Sequence, residues 1–153
     1  MILDKQALFS DKQDLAQTNA TYYSTNSYDL GVGGTMPAHF GTAYHDPGTG
    51  NEVEVFVRVT ETFTTAASGT LQVNLVMSAN ANLSSPTILT PGTAAMAVSA
   101  LVAGYQFRTV CSIPHGTTAR YFGIQYVIAT GAMSAGKITA GFVMDQDDNY
   151  KGI

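Results

Sequence analysis

The sequence carries little charge. Asp, Glu, Lys and Arg make up 12% of its 153 residues, against about 25% in an average globular protein. Seven basic residues stand against 11 acidic ones, and the basic ones are scattered along the chain. Nucleic-acid binding relies on clustered Lys and Arg to displace counterions from phosphates, so we expect no direct packing on DNA or RNA. The neutral surface that remains can be covered by another protein at little desolvation cost, although it is equally typical of an ordinary β protein.

Disulfides, targeting signals and membrane spans are also missing. With a single cysteine, Cys111, no disulfide can form within the chain, and its strand-like neighbours predict a buried, inert thiol. The N-terminal sequence MILDKQALFSDKQ places charges too early for a secretory signal. No apolar run approaches the roughly 20 residues of a membrane-spanning helix. We therefore expect a soluble protein that is made inside the cell and has no membrane partner.

The residue groups that enzymes need are not found either. There is no Gly-x-Ser-x-Gly nucleophile elbow, and neither a Lys nor a helical pattern follows Gly31–Gly34, as a phosphate-binding loop would require. The three histidines, His39, His45 and His115, are too dispersed for a metal site. The acidic residues at 145–148 lack the Gly and distal Glu of a calcium loop. We expect a non-enzymatic protein with no catalytic residues, no metal site and no cofactor.

What the sequence does contain is a two-residue alternation of apolar and polar side chains, which is typical of half-buried β-strands. In the clearest run, four valines at every second position share one face. The predicted strands are Thr21–Leu30, Glu52–Thr60, Thr70–Ser78, Tyr105–Val110, Arg120–Ala129 and Lys137–Asp145. Gly and Pro separate these runs, which favours a β-sandwich or barrel. Thr93–Val102 would also suit a helix, but we predict an extended pass with a turn.

The first 20 residues differ from the rest. We predict an N-terminal arm at 1–20 and a single β-sandwich domain at 21–153, because no repeat or linker divides the chain. The arm carries an apolar cluster, and terminal residues fray unless something holds them. Either the arm docks on its own domain or it anchors the protein to a neighbour. We predict the second role for Ile2, Leu3, Leu8 and Phe9.

Residues 31–51, GVGGTMPAHFGTAYHDPGTGN, form a long Gly- and Pro-rich loop. Ordered loops longer than about 12–15 residues are uncommon and often functional. Because apolar and aromatic side chains in such a loop are typical of contact surfaces, we predict that Met36, Phe40 and Tyr44 contact a partner. The alternative is that the loop folds these side chains back onto the sandwich.

The order and lengths of the segments carry a resemblance that covers nearly the whole chain. The segments are MILDKQALFSDKQ (1–13), STNSYDL (24–30), EVFVRVTETF (54–63), GTLQVNLVMS (69–78), SPTIL (85–89), LVAG (101–104), RYFGIQYV (120–127) and TGAMSAGKITAGFVMD (130–145). In this order they resemble the capsid cement, or decoration, proteins of tailed phages. The 31–51 loop is longer than the pattern of that family.

The resemblance implies an all-β, jelly-roll-like antiparallel β-sandwich that assembles as a homotrimer. Its expected partner is the major capsid protein, on the outer surface of the capsid. The expected location is the virion, after synthesis in the cytoplasm of the bacterial host. No catalytic residue and no cofactor are implied. The alternative is a jelly-roll module of a phage tail or fibre that binds a carbohydrate or receptor, with the stacking candidates Tyr22, Tyr23, Tyr28 and Tyr121.

Overall fold

The computed structural model describes residues 5–31, 34–35, 42–43, 52–90, 93–112, 114 and 117–143 of the chain. The strands, in chain order, are β1 (Leu8–Asp14), β2 (Thr21–Tyr23), β3 (Tyr28–Asp29), β4 (Gly34–Thr35), β5 (Thr42–Ala43), β6 (Glu52–Thr65), β7 (Thr70–Ser78), β8 (Thr87–Thr90), β9 (Met96–Ala97), β10 (Gln106–Ser112), β11 (Tyr121–Ala129) and β12 (Met133–Val143). Short 3-10 turns lie at Lys5–Ala7 and Val98–Ala100. Among these residues no helix has the length and hydrophobicity that crossing a lipid bilayer requires.

The strands form an antiparallel sandwich of two main sheets. The first sheet has the order β1-β12-β6-β10. In the second sheet β11 and β7 lie at the centre, with β2 and β3 beside β11 and with β8 and β9 beside β7. Within the 31–51 loop, β4 and β5 pair as a short hairpin. The prediction of an all-β antiparallel sandwich is confirmed.

Side-chain alternation builds the core, as the sequence predicts. In the first sheet, β6 and β12 bury Val55, Val57, Val59, Ile138 and Ala140, all at 0% exposure. In the second sheet, β7 and β11 bury Leu71, Val73, Leu75, Ile124 and Tyr126, also at 0% exposure. These residues belong to one buried cluster. Burying an aliphatic side chain of this size stabilises the fold by about 1.5–3 kcal/mol, so the interior between the sheets holds the sandwich together.

Four aromatic rings join the two sheets at one end of the sandwich. The Phe9 ring of β1 meets the Phe142 ring of β12 edge-on, with ring centroids 4.8 Å apart. The Phe142 ring also lies 5.2 Å from the Phe122 ring of β11 and 5.2 Å from the Tyr28 ring of β3. Edge-on and tilted ring pairs are favoured by the ring quadrupole. Because the rings come from both sheets, the cluster fixes how the sheets meet at this end.

A chain of hydrogen bonds crosses between the sheets next to these rings. The Ser10 hydroxyl donates to Gln13 Oε1 at 2.6 Å, so it accepts the hydrogen of the Tyr126 hydroxyl at 2.8 Å. Gln13 Nε2 then donates to the Tyr23 carbonyl at 2.8 Å. Ser10 and Tyr126 are both fully buried. Burial raises the pKa of the Tyr126 hydroxyl above its usual range.

Strand β1 lies inside the segment 1–20 that the sequence suggests is a separate arm. In the structure it is an edge strand of the first sheet, paired with β12. The two-residue alternation of apolar and polar side chains does not reveal β1. The reason is that its pairing with β12 shifts register between Leu8 and Ser10 and again between Ser10 and Gln13. Lys12 also has a φ of 48°, which breaks the extended backbone. The described part of 1–20 is therefore integrated into the sandwich.

The prediction of one strand over Thr21–Leu30 is wrong. The segment forms β2 and β3 with an irregular stretch between them. In that stretch hydroxyl side chains bond to backbone carbonyls, from Ser24 to Asn26 and from Ser27 to Ala81, at 2.8 and 2.9 Å. The bond from Ser24 is local, and such bonds compete with a strand ladder. The extended pass with a turn at Thr93–Val102 is confirmed by β9 and the 3-10 turn after it.

Gly136 is required where β12 changes register against β6. Its φ of 141° favours glycine, and a Cβ at this position would lie 2.2 Å from Cδ1 of the buried Phe63 ring. Any larger residue would therefore have to displace Phe63 from the core.

We expect Tyr126→Phe to lower the free energy of unfolding by about 1 kcal/mol at neutral pH, because one buried hydrogen bond is lost while Ser10 keeps Gln13 as a partner. The raised pKa predicts a further difference in alkali. Above about pH 10 the unfolded chain loses this proton while the folded chain keeps it, so the stability of the wild type falls as the pH rises. Urea denaturation at neutral pH and at about pH 11 should show a smaller fall for Tyr126→Phe than for the wild type.

The matched control is Tyr22→Phe, whose hydroxyl bonds to Thr18 at the surface. It should lose stability in alkali as the wild type does. An identical fall in the wild type and Tyr126→Phe would show that the Tyr126 hydroxyl is not protected by the fold.

Candidate interaction surface

Several connections of the chain meet at one end of the sandwich, which we call the arm end (Leu8, Tyr28–Gly31, Glu52–Phe56, Arg120–Phe122 and Gly141–Val143). Leu8 pairs with Gly141, and Gly141 pairs with Phe56 on its other side. In the second sheet Tyr28 pairs with Phe122, and both rings contact Phe142 of the first sheet. The N-terminal residues, the 31–51 loop and the residues beyond Val143 all join the described structure here. Both groups of predicted contact residues are thus connected to the same end.

Of the predicted contact residues, the structure describes Leu8 and Phe9. Phe9 is 1% exposed and packs in the core of its own chain, which is the alternative that the sequence leaves open for the arm. Leu8 is half-buried and lies over Gly141, where an added Cβ would be 3.1 Å from Leu8 Cδ2. Outside the described residues lie Ile2, Leu3, Met36, Phe40 and Tyr44, and their contact role stays a prediction.

Two apolar residues on the outer face of the first sheet were not predicted as part of a surface. Phe56 alternates with the core valines of β6 and so points away from the core, yet it is only 3% exposed. Val143 follows the core residue Phe142 and is 5% exposed. With Leu8 and Gly141 they form an apolar strip at the arm end. The sequence did hold a signal, because Phe56 is an aromatic residue on the face that alternation otherwise makes polar.

A bidentate ion pair between Arg120 and Asp29 fixes the chain where the 31–51 loop begins. Arg120 Nε donates to Asp29 Oδ1 at 2.6 Å, and Arg120 Nη2 donates to Asp29 Oδ2 at 2.8 Å. This bond raises the pKa of the Arg120 guanidinium. Asp29 Oδ1 also accepts the N–H of Gly31 at 2.9 Å, and the Leu30 N–H donates to the Arg120 carbonyl at 2.9 Å. The planar guanidinium matches the carboxylate in both position and orientation, so the chain is held in place as far as Gly31.

Glycine at position 31 is part of this arrangement. A Cβ there would lie 2.7 Å from Nε and 2.9 Å from Cδ of Arg120. A larger residue would therefore push the Arg120 side chain away from Asp29.

On the first sheet, toward the opposite end of the sandwich, exposed hydroxyl groups dominate the outer face. The exposed side chains there include Thr60, Thr62, Thr64 and Ser134. The hydroxyls of Thr64 and Ser134 bond to each other at 2.8 Å. Nearby, Lys137 and Glu61 neutralise each other at 2.6 Å. Such a surface carries little net charge and few strongly hydrated groups, so covering it with another protein costs little.

The described residues offer no arrangement typical of a metal site or a sugar platform. They contain no group of three or more His, Cys, Asp or Glu side chains that could hold a metal ion. A groove of about 520 Å³ at the end opposite to the arm end is lined by Val98 and by small or hydroxyl-bearing residues of 64–65, 67–70, 97 and 99. Tyr22 and Tyr28 pack against the core, and the Arg120 guanidinium lies 5.4 Å above the ring of Tyr121. These tyrosines therefore do not form one open stacking surface.

Comparison with known proteins places the chain in a family. The model of the Bbp16 family matches residues 9–142, which is most of the chain, and the chain therefore belongs to the Bbp16 family. The match begins inside β1 and ends inside β12. No curated protein matches the chain.

We expect Arg120→Met to make the chain at the start of the 31–51 loop more mobile, because it removes both hydrogen bonds to Asp29 while keeping a long side chain. Hydrogen–deuterium exchange measured by mass spectrometry should become faster in a peptide that contains Leu30 and Gly31. The matched control is Lys137→Met, which removes a second exposed ion pair, on the first sheet. It should leave exchange at Leu30 and Gly31 unchanged. Unaltered exchange in Arg120→Met would mean that the ion pair does not hold this segment.

Proposed function

We propose that this member of the Bbp16 family is a structural capsid cement protein, which binds the outer surface of a phage capsid and bridges neighbouring major capsid proteins. The observation that carries the proposal is the convergence at the arm end. There an apolar N-terminal segment, a long loop with aromatic residues and the C-terminal residues all leave one rigid sandwich. The resemblance of the segments to cement proteins supports the same assignment. The proposal gives the chain no catalytic residue, metal or cofactor.

A cement protein must resist forces that separate capsid subunits, since the packaged genome pushes the shell outward. In this fold β6 spans Glu52–Thr65. It pairs with β12 from Glu54 to Thr65 on one side, and with β10 over Glu52–Arg58 on the other. A load applied at the arm end must break many such backbone hydrogen bonds together. The aromatic cluster and the buried Ser10–Tyr126 bond add a link between the sheets at the same end. The fold therefore suits the transmission of force.

Each contact with the shell can be modest if several act together. Contacts linked through one rigid body gain from effective concentration. In a closed homotrimer, which we propose as the assembled form, cyclic symmetry would present the same arm-end contacts three times. The neutral, hydroxyl-rich surface lowers the cost of covering the sandwich by neighbouring subunits. The net charge of −4 suits a position on the outside of the shell, away from the genome.

The test uses capsids that lack the protein. We expect the double substitution Ile2→Ser, Leu3→Ser to weaken co-sedimentation with such capsids by about tenfold or more in Kd, because a buried aliphatic side chain contributes about 1.5–3 kcal/mol. Phe9 is left intact because it belongs to the core. The control is Val102→Ser, which removes an apolar side chain that is 51% exposed and lies outside the arm end. It should bind as the wild type does.

Two results would contradict the proposal in different ways. Unchanged binding by the double variant would remove the N-terminal residues from the contact. No binding by the wild type, together with binding to a glycan array, would replace the cement role with the carbohydrate-binding alternative.

A further inference from the structure

We infer that two copies of this chain pair edge to edge through β10, so that the first sheet continues from one copy into the next. This inference concerns the free protein and does not rest on the proposed function. An edge strand presents backbone N–H and C=O groups that can pair with another chain unless the fold protects them. The four edges of the two main sheets differ in this protection.

Three edges carry features that interrupt pairing. In β1 the pairing with β12 shifts register twice, Lys12 has a φ of 48°, and Asp11 and Lys12 are exposed. On one side of the second sheet the edge is divided between β2 and β3 by the irregular stretch 24–27. On the other side it is divided between β8 and β9, and β8 shifts register against β7. Bulges, charged residues and short strands are the usual means of preventing edge-to-edge contact.

The fourth edge, β10, is neither divided nor shifted in register, and it carries a single charged residue, Arg108. All seven residues of Gln106–Ser112 are paired in unbroken register with Arg58–Glu52 of β6. Within the part of the chain that the structure describes, β6 is the strand that β10 pairs with. A regular strand of this length is a template on which a further strand can be added.

One hydrogen bond shows which backbone N–H and C=O groups of β10 point toward β6 and which point away from it. The Val59 N–H donates to the Tyr105 carbonyl at 2.8 Å. Because hydrogen-bonded and non-bonded pairs alternate along an antiparallel ladder, Phe107, Thr109 and Cys111 also bond toward β6. The N–H and C=O groups of Arg108, Val110 and Ser112 therefore point to the open side of the sheet.

The sequence of β10 allows it to pair with itself. In an antiparallel pair centred on Thr109, Arg108 of one copy lies opposite Val110 of the second, and Thr109 lies opposite Thr109. The outward-pointing groups then face one another, and no like charges are opposed. A pair centred on Arg108 would instead place two arginines opposite each other, which is unfavourable.

This contact is isologous, so it closes after two copies. For a chain that is otherwise alone it gives a dimer. In the proposed trimer each of the three copies would carry one such edge, so the number of copies per particle would at least double.

The first experiment is Val110→Pro, with the particle mass measured by light scattering. Proline removes an N–H that points to the open side, so the ladder between β10 and β6 remains complete. We expect the number of copies per particle to fall at least twofold, while Val110→Ala, which keeps the N–H, retains the wild-type mass. Circular dichroism should show that both variants keep their β structure. Equal masses for the wild type and a folded Val110→Pro would overturn the inference.

A second experiment does not depend on how proline is tolerated. With Cys111→Ser as background, Thr109→Cys places two cysteines opposite each other at a non-bonded pair, where the Cα atoms are about 4.5 Å apart and a disulfide can form. Mild oxidation should give a disulfide-linked dimer. Ser112→Cys in the same background is the matched control, because its two copies would be about 20 Å apart. Equal cross-linking of the two variants, or none in Thr109→Cys, would also overturn the inference.

Discussion

The structure depends on how β1 is joined to both sheets. Its backbone pairs with β12 at the edge of the first sheet. Two consecutive residues of β1 contact the second sheet. Phe9 packs 5.9 Å from the Phe122 ring, and the Ser10 hydroxyl bonds to Tyr126 at 2.8 Å. A buried hydroxyl pair is costly to separate, because each partner would lose its hydrogen bond without gaining one from water. The start of the sandwich is therefore fixed relative to both layers, and the residues before it leave from a defined place.

The same joint determines where the long loop begins. Gln13 Oε1 accepts the Thr25 N–H at 3.1 Å and the Phe9 carbonyl accepts the Asn26 N–H at 2.9 Å. The irregular stretch between β2 and β3 is thus held against β1. After it, Tyr28 enters the aromatic cluster and Asp29 binds Arg120. The points at which the N-terminal residues and the 31–51 loop join the sandwich are consequently held by one continuous set of contacts.

The sequence predicts the centre of the sandwich well and its margins poorly. In β6 and in the first residues of β7 one face is more buried than the other, so the alternation of Val and Leu with polar residues reports the structure directly. From Val73 onward β7 is buried on both faces. In β1 the register shifts and the positive φ of Lys12 remove this alternation from the sequence. The strand is evident only from its pairing with β12. Phe9 looked like an exposed apolar residue near a terminus, although it fills a space between two sheets that no local pattern describes. Contacts with other proteins leave still less trace, because a neutral surface is compatible with many partners and with none.

The account is tested most directly by electron cryo-microscopy of a capsid with this protein bound. It predicts that the sandwich lies on the outer surface with its arm end toward the shell. Residues 1–4 and the 31–51 loop should then touch the major capsid protein. A sandwich bound with residues 65–70 toward the shell and the arm end facing solvent would contradict it, and so would a shell that carries no bound protein.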